Sequence, residues 1–201
     1  MKQKERSGKT IGAILDAAFG VIAEYSISGT TTALISDRAK VSKPLLHYHF
    51  KTKEAILDRV LDHVLERLLE IPLENLNRNV SPFDEMTGIF QRYRHIITSE
   101  PALLVVFYDF WVQGIREPRV RQKIVQRFGG FRGYIAQLVK DGVDKGEFSP
   151  EKSHMVPPLM LSLLEGASLQ LISDPGAFNI DLYQYMALDA LSTLAGRKND
   201  N

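Results

Sequence analysis

The sequence predicts an all-α protein of about nine helices, four in a small N-terminal unit and five behind it. Three observations predict this. Apolar residues recur at three- and four-residue spacing along nearly the whole chain, with no convincing two-residue alternation. Hydroxyl residues and prolines punctuate the pattern where helices should start, and glycines where they should stop. Composition, 44% hydrophobic and 24% charged over 201 residues, is that of a globular chain with a real core.

Each element follows from its own signals. A first helix is expected over 8–25, with Ile11, Ile14, Leu15, Ala18, Phe19 and Ile22 on one face. Ser28-Gly29 makes a turn, and Thr30 or Thr31 offers a hydroxyl cap to a short second helix that turns Ile35 and Ala39 inward. After a tight turn at Lys40-Val41, Ser42 caps a third short helix. Pro44 is tolerated in its first turn, where the missing amide has no intrahelical partner. Thr52 caps a fourth helix with a stripe of Ile56, Leu57, Val60, Leu61, Val64, Leu65 and Leu68, ending near Pro72. The polar stretch 72–81 is the expected domain boundary, dividing a unit over 8–68 from one over 72–196. Beyond it, Ser81-Pro82, Glu100-Pro101, Glu117-Pro118 and Ser149-Pro150 each open a helix. The last of these should run to Ser173, kinked or delayed by Pro157-Pro158. Asp174-Pro175-Gly176 is a loop, and a final helix covers 180–194 before Gly196.

Whole-chain properties exclude several classes. With no cysteine there are no disulfides, thiolate metal sites or cysteine nucleophiles, and a reducing cytoplasm fits. No run of about 18 apolar residues is present, so no membrane span is expected. The charged MKQKERSGKT start leads into an amphipathic helix and not an apolar signal core, which argues against secretion. Net charge is only +1, yet residues 1–63 hold ten Lys/Arg against seven Asp/Glu. Four lysines and no acid fall between Ala39 and Lys53. A local cationic strip on a balanced chain points to one polyanion-facing surface, with a merely solvated basic helix face as the alternative.

That strip, KVSKPLLHYHFKTKE over 40–54, fits a helix-turn-helix spanning about 31–50, whose second helix enters the DNA major groove. Ser42 leaves a helix N-terminus pointing outward, favourable to phosphate or an electron-rich base edge. Lys43, Leu45 and His47 lie outward, while Leu46 and Phe50 point in. Leu45 is placed to press on a thymine methyl, and Lys43 or His47 to donate to base or phosphate oxygens. Tyr48 and His49 sit at the far end, near the DNA backbone. Thr31, Lys51 and Lys53 are expected to clamp phosphate, and Lys40 stands at the groove edge. His47 and His49 are two residues apart, about 200° around a helix, so this pair alone does not chelate a metal. No metal or cofactor is expected.

The run TTTALISDRAKVSKPLLHYHFKTKEAIL resembles the N-terminal domain of the tetracycline-repressor (TetR) family of bacterial transcription regulators. Thr30-Thr31, Ile35, Ala39, Val41-Ser42, Leu46, His49-Phe50, Lys53 and Ile56 carry the resemblance, which covers residues 8–68. The rear residues fit by length, helicity and a Lys-Gly-Glu-Phe helix end at 145–148. There are departures: Ser36 stands for the usual Ala, His47 for a frequent Tyr, and Lys40 for the turn glycine. A non-glycine in a left-handed turn costs about 1 kcal/mol or more.

The resemblance implies a C-terminal domain that dimerises and encloses a pocket for a small molecule that lowers DNA affinity. Candidate pocket residues are Phe90, Tyr93, Phe107, Tyr108, Trp111, Phe131, Tyr134 and Glu165. The polar tips of Tyr108, Trp111 and Tyr134 would need partners if buried, and most of the aromatics also read as plain core. Glu165 either solvates at an edge or meets a cationic or hydrogen-bonding ligand. Gly129, Gly130, Gly133 and Gly142 weaken the long helix by up to about 1 kcal/mol each relative to Ala. A closely packed helix or a bend around a pocket would explain them. Leu159, Leu163, Leu171, Ala187, Leu191 and Leu194 are the expected four-helix dimer interface.

The expectation is therefore a homodimeric, ligand-responsive regulator, more a repressor than an activator, on a palindromic operator. Ligand would tilt helix four and change the separation of the two reading heads. One rival is an architectural DNA-binding protein with no effector. Another is an enzyme using Glu165 with Tyr134 or His154, which no nucleophile motif, metal spacing or phosphate loop supports.

Overall fold

The computed structural model describes residues 2–69 and 80–197. Among these, nine α-helices form and no strand does. The predicted boundary at 72–81, with the end of helix four at Pro72, falls largely outside the described residues.

The chain divides into two compact units, Met1–Leu68 with Val105–Ile124, and Leu69–Leu104 with Val125–Asn201. The first contains α1 (Lys2–Gly29), α2 (Thr32–Ala39), α3 (Lys43–His49) and α4 (Lys53–Leu68). It also takes most of α6 (Pro101–Arg116) and the first two turns of α7 (Pro118–Asp144). Within it α1 packs on α2 and α4, and α2 on α3. The seven residues read as the α4 stripe are all buried, Val64, Ile56 and Leu61 completely. Ile14, Ala18, Ile22, Ile35 and Leu46 add the fully enclosed apolar surface that drives the unit together.

The second unit contains α5 (Pro82–Ser99), α8 (Val156–Ser173) and α9 (Ile180–Leu194), packed mutually, with the rest of α7. Ser81 caps α5 through a 3.0 Å bond from the Asp84 amide to its hydroxyl, and Asn179 caps α9 through the amides of Asp181 and Leu182. The segment just after α9 is clasped. The Ser149 amide donates to the Ala195 carbonyl at 2.7 Å, and the Arg197 guanidinium lies 4.1 Å from the Phe83 ring centroid.

Four expectations change. The first helix starts at Lys2, not near Gly8, and its break falls at Ser26 (φ 63°, ψ 171°), ahead of the expected Ser28-Gly29 turn. Ser149-Pro150 opens only turns and a short 3-10 segment, Ser153–Met155. The α-helix itself starts at Val156, the delayed start that was one of the two effects expected of Pro157-Pro158, with Pro157 in the first turn. Gly129, Gly130 and Gly133 are exposed and no atom lies within 4 Å of a Cβ built on them, so close packing within the chain does not explain them. Gly142 does meet a close approach: a Cβ there would fall 2.2 Å from Phe148 Cδ2. Finally, Arg6–Gly29 and Ser153–Ser173 are long and apolar enough to cross a membrane by length and composition, against the expectation. Mean hydropathy tolerates scattered polar residues that break an unbroken apolar run, such as Asp16 and Glu165. Both stretches bury apolar residues in the folded units, Ile14 and Ile22 in one, Met160 and Leu164 in the other.

Candidate nucleic-acid interface

The helix-turn-helix is built by local hydrogen bonds. Thr31, extended at φ −127°, accepts the Leu34 amide at 3.2 Å and so caps α2. Thr30 is buried instead, its hydroxyl donating to the Ser26 carbonyl at 2.7 Å. Ser36 lies in the core, where its hydroxyl donates to the Ala33 carbonyl at 2.9 Å; a serine in the place of alanine is thus satisfied locally. Lys40 adopts the left-handed conformation (φ 54°, ψ 39°). The turn closes as its amide donates to Asp37 and the Val41 amide to Ser36. Ser42 then caps α3 through the Leu45 amide at 3.3 Å, with Pro44 in the first turn.

The two faces of α3 separate cleanly. Leu46 and Phe50 are buried. Lys43, Leu45 and His47 are exposed, as is Tyr48 at 73%. His49 is half-buried against the edge of the Tyr48 ring, centroids 5.1 Å apart. Lys40, Ser42 and Lys51 are also exposed. An exposed tyrosine and leucine between cations is a poor surface for water alone and a good one for bases and sugar-phosphate.

Lys53 differs from its neighbours. Its ammonium is half-buried and donates to the Ile27 carbonyl at 2.9 Å, tying the start of α4 to the end of α1. Thr52 caps α4 through the Ala55 amide, as expected. Further residues that sequence reasoning missed position the motif. Arg38 on α2 is ion-paired with Glu24 on α1, and Gly20 leaves the room, since a Cβ there would lie 2.9 Å from Arg38 Nη1. Asp109, the one acid in LLVVFYDFW, accepts the Ile27 amide at 2.5 Å. An acid alone in so apolar a run was the available signal.

The residues named for an effector pocket are divided between the two compact units. Phe107, Tyr108 and Trp111 belong to the first unit, with ring centroids 5.2 and 5.5 Å from Phe107. In the second unit Phe90 and Tyr93 line a small cleft of about 10 Å³ with Arg94, Ile97, Leu164 and Tyr183, room for about one water. Phe131 is buried away from that cleft. Tyr134 donates to Glu85 Oε2 at 3.0 Å, and burial, reinforced by that carboxylate, pushes its phenol up to about 12. Glu165 is half-buried; desolvation raises its carboxyl, opposed by the Arg132 charge.

Of the residues expected at the dimer face, Leu171, Ala187 and Leu191 are buried in the chain's own core. Leu159 and Leu163 are half-buried, and Leu194 is exposed. The open apolar surface of α8 and α9 is carried by Leu194 together with Leu169, Leu182, Tyr185 and Met186.

A capped helix-turn-helix with a basic, partly aromatic reading face, followed by a helical unit, defines a DNA-binding transcription regulator. Comparison with known proteins gives the family. Residues 14–60 match the bacterial regulatory proteins of the tetR family, and residues 94–196 match the C-terminal domain of BetI-type transcriptional repressors. The chain belongs to the TetR family. It is 26% identical over 157 residues to the transcriptional regulator UidR of Escherichia coli, covering 76% of each chain. It is 25% identical over 140 residues to the transcriptional repressor KstR2 of Mycobacterium tuberculosis, covering 70% of each. A transcriptional regulator from Saccharomonospora viridis, solved in complex with choline, shares the fold with a TM-score of 0.79. There, 17% identity extends over 90% of this chain and 95% of that one.

Proposed function

We propose that this chain is a homodimeric repressor that binds a palindromic operator in the bacterial cytoplasm and is released by a small-molecule effector. The outward face of α3 carries the reading: Lys43, Leu45, His47 and Tyr48 are exposed together while Leu46 and Phe50 anchor the helix from behind. In this reading Leu45 and Tyr48 meet base edges and the groove wall, and Lys43 and His47 donate to bases or phosphates. Thr31, Lys40, Ser42, His49, Lys51 and Lys53 surround them and face the backbone. The domain limits that go with it are 8–68 for DNA and 72–196 for effector and dimer.

Dimerisation is supported by Leu169, Leu182, Tyr185 and Met186, large apolar side chains left open on α8 and α9. Two copies would set their recognition helices about 34–36 Å apart. The KstR2 relative is described as a repressor, which supports the sign. The effector's chemistry is open, because the narrow cleft beside Phe90 and Tyr93 must widen to admit more than water. That narrowness also favours a second reading, an effector-independent DNA-binding dimer.

Selection of duplexes from a random pool tests the DNA reading. A palindromic consensus is expected, and Leu45→Ala should change the preferred bases. A pool that emerges unenriched, or a consensus indifferent to Leu45→Ala, rejects it. A thermal-shift screen in which no small molecule stabilises the protein favours the second reading.

A further inference from the structure

Where α1 ends, the chain makes a joint that a helix-turn-helix does not require. We propose that Asp109 on α6 is a positioning residue for operator binding. With Lys53 on α4, it holds the strained Ser26-Ile27 joint that sets how α2 and α3 leave α1. Ser26 lies at φ 63°, ψ 171°, a region essentially reserved for glycine, and such strain persists only where the surroundings over-determine it. Here they do. The Ile27 amide donates to Asp109 Oδ2 at 2.5 Å, and the Ile27 carbonyl accepts from Lys53 Nζ at 2.9 Å. The Ile27 side chain is buried, and Thr30 donates to the Ser26 carbonyl at 2.7 Å. Thr31, the next residue, caps α2.

Both backbone polar groups of Ile27 are thus taken by charged side chains from two other helices, 82 and 26 residues away in sequence. Neither bond closes a helix. Bonds to charged groups are the strong ones, and their common target is the residue after the strained one. Without the carboxylate, the Ile27 amide loses its acceptor and Ser26 falls back to an ordinary φ, turning α2 and α3 with it. Asp109 therefore reaches DNA only through Ile27. The inference rests on α2 and α3 being the reading pair.

The test uses full-length protein and the duplex that the wild-type chain itself selects from a random pool. Asp109→Ala should weaken that duplex by about tenfold, the loss of one charged hydrogen bond, while binding to a scrambled duplex at low salt stays within about twofold. Glycine holds the Ser26 conformation without help. Ser26→Gly placed on Asp109→Ala should therefore recover most of the affinity. Gly8→Ala, which adds helix propensity at an open site of α1, should not. Recovery by Ser26→Gly alone supports the joint; equal recovery by both marks general stability and overturns it. If Asp109→Ala does not fold, Asp109→Asn carries the test, because its neutral oxygen accepts a weaker bond. A two- to fivefold loss restored by Ser26→Gly is then expected, and wild-type affinity overturns the proposal. A wild-type chain that selects no duplex overturns this and the DNA reading together. A selected duplex bound equally well by Asp109→Ala overturns the joint alone.

Discussion

Lys51 and Lys53 stand at the start of α4, and replacing each by alanine should give different results in stability and similar results in salt dependence. Lys53 donates to the Ile27 carbonyl at 2.9 Å from a half-buried position. A hydrogen bond from a charged group is worth about 1.5–3 kcal/mol, and partial exposure reduces this to about 1–2 kcal/mol. For a chain of this size each 1 kcal/mol moves Tm by about 2–4 °C. Lys53→Ala should therefore melt about 2–8 °C lower than wild type. Lys51 is exposed and has no intramolecular partner among the described residues, so Lys51→Ala should stay within about 0.5 kcal/mol of wild type. Each lysine that meets a phosphate contributes about 0.9 to the slope of log K against log salt. The ammonium of Lys53 keeps two N–H groups beyond the one given to Ile27, so both substitutions should flatten the slope by about 0.9 per protomer. Calorimetry and fluorescence anisotropy from low to moderate salt read the two effects. An unchanged Tm for Lys53→Ala refutes its bracing role; an unchanged slope for Lys51→Ala refutes its phosphate contact.

Three other outcomes are expected. Leu182→Glu with Tyr185→Glu, on the exposed face of α9, should convert a dimer to folded monomers by light scattering, whereas Leu191→Glu in the core should unfold the chain. A persistent dimer would move the interface elsewhere. Gly142→Ala sets a methyl against the Phe148 ring and should destabilise by about 1–3 kcal/mol, with part recovered by adding Phe148→Leu; a neutral result would mean the ring moves freely. Burial raises the Glu165 carboxyl above its unfolded value, so the folded state holds the proton more tightly. The stability this contributes is full below the unfolded value and is lost as pH rises through the raised one. Glu165→Gln should accordingly be more stable than wild type above the raised titration and flatten the fall in Tm as pH rises beyond the ordinary carboxylate range; a parallel profile would exclude Glu165 as its source.

The parts legible in sequence are those fixed by neighbours along the chain. Ser42, Ser81 and Thr52 each cap the helix that follows, and the α4 stripe is buried residue for residue, because capping and helical period act within four residues. Lys40 in the left-handed region was readable from the turn it occupies. What was not readable depends on partners far away. That Lys53 serves the end of α1, and that Asp109 serves Ile27, requires knowing which helices meet. Periodicity likewise marked Leu171, Ala187 and Leu191 as apolar without saying whether their own chain covers them. Aromatic content in LLVVFYDFW suggested pocket residues, and composition does not fix which compact unit a side chain joins.

Gly129, Gly130 and Gly133 sit in the middle of a 27-residue helix with open space around them. Each gives the unfolded backbone more freedom than alanine would and shields its peptide groups less. α7 is thereby cheapest to open at its centre, where most long helices are firmest and fray only at their tips. Amide protons there should trade with solvent before those toward Ile124 or Val139, and a protease would find its foothold mid-rod.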